Sequence, residues 1–171
     1  MAVTIVAQHK RFSTANAKVV GVPGYTKMRI YSWEMLYISE PGDSEEMEME
    51  PFYVTEPILI VGYRNRVSVD QNAVDADALS NGRLRIDAEG DHFELGETEA
   101  IRRRATGGDP TAGYVAVEAA VVIDTQYIPI TPYLPLDDGA KITPHMRLQN
   151  NHSSKNADHY MEFDLYVLEK T

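Results

Sequence analysis

The sequence has no cysteine among its 171 residues. This absence excludes a disulfide framework, a thiolate nucleophile and cysteine-ligated zinc together. Stability must therefore come from packing, and a chain of this length can bury roughly 70% of its unfolded surface on folding. The sequence predicts one globular domain, residues 1–171, that folds without cross-links.

Basic residues are few, because 16 Lys and Arg stand against 26 Asp and Glu, a formal net charge of -10. A field of that sign repels phosphate backbones and anionic lipid, so we expect no nucleic-acid partner. Long apolar runs are also missing: no segment reaches the ~18 apolar residues of a membrane helix, and the N-terminus has no secretory signal pattern. We expect a protein made in a cytoplasm, without membrane insertion.

Common catalytic motifs are missing from the sequence as well. It contains no Gly-x-Ser-x-Gly elbow, no P-loop, no dinucleotide fingerprint and no His-Glu-x-x-His pattern. It also has no His-x-His pair, which a metal-dependent enzyme of the cupin type would carry. We therefore predict no catalysis, no cofactor and no small-molecule substrate.

What the sequence does have is period-two alternation of apolar and polar residues, which is typical of half-buried strands. One alternating face contains Tyr31, Trp33, Met35 and Tyr37, and another contains Met161, Phe163, Leu165 and Val167. The run PILIVGYRNRVSVD (57–70) predicts one long bent strand or two, with Leu59 on the inner face. Gly62 stands in that run where a strand can bend or bulge.

Helix signals are scarce. AVDADALS (73–80) and ELGETEAIRRRA (94–105) each predict a short helix, the second with acids first and arginines last, the order that the helix dipole favours. Long, irregular loops are expected at 40–50, 70–82 and 87–113. The fold class is therefore all-β: an antiparallel β-sandwich, with the long loops favouring a single jelly roll that has at most one or two short helices.

Three histidines stand seven residues apart near the C-terminus, at His145, His152 and His159. His145 and His159 would approach each other if their two strands formed a hairpin. Asp87 and Asp91 lie in an acidic stretch whose oxygen ligands suit calcium. Neither set matches a zinc or EF-hand spacing, and ordinary loop residues separate the histidines. We predict no metal site; His145, His159, Asp87 and Asp91 are the residues that a metal would use.

Three stretches suit contacts between subunits. EPGDSEEMEMEP (40–51) is either a solvated loop or an acidic docking point, and the only basic cluster is either an exposed helix end or a clamp for a neighbour's carboxylates. YIPITPYLPLDDG (127–139) is extended by its prolines and belongs at a sheet edge, where it meets a neighbour or crosses between sheets. The candidate interface residues are Arg102, Arg103, Arg104, Glu45, Glu46, Glu48, Tyr127, Pro129, Pro132 and Tyr133.

PILIVGYRNRVSVD, YIPITPYLPLDDGAKITPHMRLQNN and YMEFDLYVLEK resemble in layout the later strands of single jelly-roll capsid proteins and phage decoration proteins. The resemblance covers most of the strand pattern but no sequence motif, so it assigns no functional residue. It implies a structural virion protein that contacts copies of itself and other virion proteins, with residues 1–12 as a possible N-terminal arm. The alternative is a carbohydrate-binding β-sandwich in which Trp33 or several tyrosines stack on sugar rings and an acidic loop holds calcium.

Overall fold

The computed structural model describes residues 3–14, 22–70, 77–102 and 120–170. Those residues form eleven strands and no helix, and the strands make two antiparallel sheets packed face to face. The predicted all-β sandwich is confirmed. No described segment is a helix able to span a bilayer. The strands are β1 (Thr4–Thr14), β2 (Tyr25–Ser39), β3 (Ser44–Glu48), β4 (Phe52–Tyr53), β5 (Ile58–Asp70), β6 (Ala78–Ala88), β7 (Asp91–Arg102), β8 (Ala120–Asp124), β9 (Ile128–Leu136), β10 (Lys141–Asn150) and β11 (Ala157–Lys170).

The strand order is nested. Sheet A has the order β1-β2-β11-β5-β8, with β9 also paired to β5, and sheet B has the order β3-β10-β6-β7, with β4 also paired to β10. After β1, early strands therefore pair with late ones: β2 with β11, β3 and β4 with β10, and β5 with β8 and β9, while β6 and β7 close the series. This nesting is the strand order of a jelly roll.

The alternation in β2 and β11 places their large apolar side chains between the sheets, as predicted. Burying each such side chain contributes about 1.5–3 kcal/mol relative to leaving it exposed, so this double row is a main source of stability. The row from sheet A consists of Tyr31, Trp33, Met35, Tyr37, Met161, Phe163, Leu165 and Val167, all buried. It packs in one core with Leu84, Ile86, Ile142, Met146 and Leu148 of sheet B.

Strand β5 is one strand with a bulge. Its register shifts at Val61 against both β11 and β9, so Ile60 and Val61 are both buried. The strand is continuous over 58–70, and its bulge lies at Val61, next to Gly62, where a bend or bulge is predicted. Leu59, predicted to face the core, is half-buried because Ile58 and Ile60 take the inner positions.

The two predicted helices are wrong wherever the structure describes them. Residues 78–80 open strand β6, and residues 94–102 belong to β7. The two strands form a hairpin through a two-residue turn, Glu89–Gly90, in which both φ angles are positive, 53° and 79°. Cross-strand pairing outweighs helix propensity, which is a weak preference of less than about 1 kcal/mol per residue. The hairpin also replaces the part of the predicted 87–113 loop that is described.

Candidate functional site

His145 and His159 lie in different sheets, so the predicted approach of the two rings is wrong. β10 pairs with β3, β4 and β6, whereas β11 pairs with β2 and β5. His159 shares the inward side of β11 with Met161, while His145 lies on the outer face of sheet B. Across the described ranges, no group of three or more His, Cys, Asp or Glu side chains is placed to hold a metal ion.

His159 joins the two sheets through hydrogen bonds with two serines. Its Nε2 lies 2.7 Å from Ser39 Oγ of β2, and its Nδ1 lies 2.8 Å from Ser80 Oγ of β6. The ring is fully buried, and burial lowers the pKa of His159 to about 4. The imidazole is therefore neutral at neutral pH and closed to any substrate, so this Ser-His-Ser arrangement is structural.

His152 organises the connection between β10 and β11. The backbone N–H groups of Ser154 and Lys155 donate to His152 Nδ1 at 2.9 and 2.8 Å. Asn150 Nδ2 donates to the Lys155 and Glu40 carbonyls at 2.9 and 3.2 Å. The segment predicted as a plain polar loop is thus pinned by buried side chains, and His152 is committed to that role.

Residues 44–48 of the acidic stretch at 40–50 form an edge strand, which corrects the predicted loop in that part. Its five strand residues form β3 and pair with β10 at one edge of sheet B. Glu46 lies 3.4 Å from Arg83, and Glu48 lies 3.6 Å from His145 Nε2. Both glutamates have partners in their own chain, yet both stay more than half exposed, and Glu45 on the other side of the strand is exposed too.

A charged network covers the outer face of sheet B. Arg83 is central, because its guanidinium contacts Glu46 on one side and Glu94 of β7, at 2.9 Å, on the other. His145 lies beside it, where burial lowers the pKa of the imidazole and the Glu48 carboxylate opposes part of that shift. Opposite charges on adjacent strands align the sheet, and Arg83 has its carboxylate partners within the subunit.

Arg102 does not belong to an exposed helix end, which corrects the prediction. Arg102 is the last residue of strand β7. Its side chain lies on the same face of the strand as Thr98 and Ala100, and only 1% of its surface is exposed. Arg103 and Arg104 lie outside the described residues. The predicted clamp of three arginines therefore loses Arg102 as a surface contact.

The predicted edge strand at 127–136 is where the prolines place it. β9 flanks β5 at one edge of sheet A, and β8 lengthens the same edge. Pro129 and Pro132 are exposed there. Four large apolar side chains are exposed on this strip, which we call the β8–β9 edge. They are Val122 (53%), Ile123 (41%), Tyr127 (47%) and Tyr133 (46%).

Tyr127 is exposed but fixed in place. Its ring lies over Gly62, where any Cβ would overlap the ring, and its hydroxyl donates to the Val61 carbonyl at 3.3 Å. The Tyr166 ring meets it edge-on, with 4.9 Å between the centroids. The sequence predicts a bend or bulge at Gly62, but it does not indicate that the Tyr127 ring packs on this glycine. A ring ordered in advance loses little entropy when a partner covers it.

The other edge of sheet A is strand β1, which contains residues 4–12 of the predicted N-terminal arm. Its outer positions border a shallow hollow of about 280 Å³ that is lined by His9, Arg11, Glu34 and Glu162 among others. Glu34 and Glu162 stand directly opposite each other on β2 and β11. Trp33, the residue expected to stack on a sugar, is fully buried, which corrects that expectation.

Asp87 and Asp91 do not form a calcium loop. Asp87 pairs with Arg85 at 3.3 Å, and Asp91 Oδ1 accepts the His92 backbone N–H beside the tight turn of the β6–β7 hairpin. The carboxylates are thus engaged by their own strands and do not surround a common point.

No model of a known protein family matches the sequence, and a search of curated proteins finds no match. The function is therefore inferred from the fold and from the surface chemistry described above.

Proposed function

We propose that the protein is a structural virion subunit, either a capsid protein or a capsid-decorating protein, that acts through contacts between subunits and performs no catalysis. The nested strand order supports this proposal, because a jelly roll is a common architecture of viral capsid proteins. Lectin domains and cupins share the architecture, so the fold alone does not distinguish these functions and the surface chemistry is needed as well.

Large side chains fill the space between the sheets. Trp33, Phe163 and Met146 are each fully buried there, and the buried ring of His159 is hydrogen-bonded to Ser39 and Ser80. Such an interior supports a role on the surface rather than a ligand chamber inside the sandwich.

The β8–β9 edge is the observation that carries the proposal. An edge strand normally offers free backbone groups to any other strand, and prolines limit that pairing because they have no N–H. Here Pro129, Pro132 and Pro135 stand along β9, while Tyr133 and Val122 stay exposed. The prolines of β9 disfavour the addition of another strand, while the exposed apolar side chains offer a surface. This combination favours a specific neighbour that binds through side-chain contacts.

Two substitutions test this edge. Val122→Asp and Tyr133→Asp, combined in one chain, should break the contact, because they bring charge into an apolar interface and change only exposed positions. Light scattering after size exclusion should show a loss of large species, and negative-stain images should lose regular particles. Tyr53→Asp is the matched control, because Tyr53 is exposed on β4 in the other sheet. Equal disruption by the control, or none by the double variant, would contradict the proposal.

The alternative is a carbohydrate-binding module. With Trp33 buried, its stacking residues would have to be exposed tyrosines such as Tyr53 and Tyr133. Titration calorimetry against a glycan panel, with and without a chelator, separates the two functions. A strictly monomeric protein that binds a glycan would overturn the virion proposal.

A further inference from the structure

The side of the sandwich that lies away from the β8–β9 edge is formed by two edge strands of opposite charge. β1, the last strand of sheet A, has the sequence TIVAQHKRFST, which contains Lys10, Arg11 and His9 but no acidic residue. β3, the last strand of sheet B, has the sequence SEEME, with three glutamates and no basic residue. In a chain of net charge -10, strand β1 is therefore a locally positive segment.

The two strands lie side by side across the gap between the sheets. Gln8 of β1 reaches over to β3, where its Nε2 lies 3.4 Å from the Glu48 carbonyl oxygen. Lys10 Nζ lies 5.3 Å from the ring centroid of Phe52, which belongs to β4 on the same edge of sheet B. Strand β1, the basic strip, and strand β3, the acidic strip, therefore run next to each other along this side of the sandwich, with Lys10 on the inner face of β1 and Arg11 on its outer face.

These charges remain available to a partner. Among the described residues, no carboxylate lies within 4.0 Å of Lys10 or Arg11, and Glu45 has no cation within that distance. Ile5 and Val6, at the start of β1, are about half exposed. Among the described residues, this side thus combines two cations without a carboxylate partner, one glutamate without a cationic partner, and uncovered apolar area.

We propose that this side binds the same side of a second copy of the chain, with β1 of each subunit facing β3 of the other. A two-fold axis parallel to the strands exchanges the two layers, so the basic strip meets the acidic strip twice. Local attraction of this kind fixes which surfaces meet, although the whole subunits repel each other. The inference goes beyond the virion function and does not depend on it.

Another arrangement of two copies is disfavoured by the same charges. Direct antiparallel pairing of β1 with β1 would extend sheet A across both subunits. It would also bring Lys10 and Arg11 of both copies close together without any carboxylate of β1 to offset them. Like charges on neighbouring strands are destabilising, so the crossed arrangement fits this surface better.

Two charge-reversed chains test the pairing. One carries Lys10→Glu and Arg11→Glu, which makes both strips acidic, and the other carries Glu45→Lys and Glu48→Lys, which makes both strips basic. Val122→Asp and Tyr133→Asp are present in every chain, so contacts at the β8–β9 edge do not contribute to the mass. Each reversed chain alone should run at the monomer mass in light scattering, while the unreversed chain should show twice that mass at low salt.

An equimolar mixture of the two reversed chains gives the decisive result. Because β1 of each then faces a complementary β3, the mixture should recover the doubled mass and lose it at about 1 M salt, where the Debye length is about 3 Å. Lys155→Glu, a reversal on an exposed loop, should leave the dimer intact and serves as the control. Unchanged melting temperatures show that each variant folds. A mixture that stays monomeric, or reversed chains that still dimerise alone, would overturn the proposal.

Discussion

His159 of sheet A and Ser80 of sheet B are hydrogen-bonded across the core, with 2.8 Å between Nδ1 and Oγ. The second ring nitrogen lies 2.7 Å from Ser39 Oγ, so the imidazole is held from both sides in a place that water does not reach. Such a bridge fixes how the sheets face each other, and burial favours the neutral form of its ring.

The free energy of unfolding should fall as the pH drops from about 6.5 to about 4. Burial lowers the pKa of His159 to about 4 in the folded protein, whereas the unfolded side chain titrates near its ordinary value of about 6.5. Between these values the unfolded chain binds a proton that the folded chain does not, and the loss approaches about 3 kcal/mol. Above about pH 6.5 the His159 ring is neutral in both the folded and the unfolded chain, so it no longer makes the free energy of unfolding depend on pH.

Urea denaturation at several pH values measures this dependence. His159→Gln keeps hydrogen-bonding capacity but does not titrate, so it should flatten the profile in that window. His145→Gln is the companion variant, because burial also lowers the pKa of His145. An unchanged slope in His159→Gln would show that another group is responsible.

Gly96→Ala should destabilise the fold by about 2–5 kcal/mol. Its φ of 68° costs an alanine roughly 1–2 kcal/mol, and overpacking adds about 1–3 kcal/mol, because a Cβ would lie 2.8 Å from Phe163 and 2.9 Å from Tyr63. Gly139→Ala is the matched control, since its φ of 87° carries the same backbone strain with nothing within 4 Å of the new Cβ. Equal losses in the two variants would remove the packing explanation.

Asn65→Ala should cost about 2–6 kcal/mol, because the Asn65 side chain connects sheet A to backbone carbonyls of sheet B. Its Nδ2 donates to the carbonyls of Gly82 at 2.9 Å and Gly96 at 2.8 Å, both in sheet B. Truncation removes a partner from two acceptors in the core, at about 1–3 kcal/mol for each group left unsatisfied. Asn81→Ala, whose amide meets the surface carboxylates of Glu97 and Glu99, should cost less in the same denaturation assay.

Glu89→Asn should stabilise the protein by about 0.5–1 kcal/mol. Both turn residues of the β6–β7 hairpin have positive φ, which is the turn that favours Asn-Gly, and Gly90 is already in the second position. Thermal unfolding should show a higher midpoint for Glu89→Asn and a lower one for Glu89→Val, because a β-branched residue tolerates that φ poorly. A gain with Glu89→Val would contradict the backbone explanation.

Alternation was enough to predict the core faces of β2 and β11. The faces built on Trp33 and Phe163 are buried as expected, because a strand in a sandwich has one side turned to the partner sheet. The prolines likewise placed β9 at an edge. These features depend on local pattern, which a sequence contains in full.

The misassigned segments had patterns that support two structures. Residues 94–102 contain helix-forming Glu, Ala and Arg, but they also alternate: Thr98 and Ala100 are buried, whereas Glu97 and Glu99 are exposed. Pairing with β6 decides between the two, and that information lies elsewhere in the chain. The same alternation places Arg102 on the buried side.

The sequence alone does not show which distant strands pair with each other. β10 and β11 are adjacent in the chain and look like a hairpin, yet they lie in opposite sheets, which separates His145 from His159. Two further contacts depend on the three-dimensional arrangement in the same way. Strand β1 lies beside β3, and the Tyr127 ring packs on Gly62.

The most direct test of the central claim is the mass of the purified protein in solution, measured by light scattering after size exclusion over a range of protein and salt concentrations. A subunit built for contacts should form dimers or larger closed species, with the ionic contact weakening as salt rises and the β8–β9 contact persisting. A protein that stays monomeric at every concentration, with or without salt, would contradict the account.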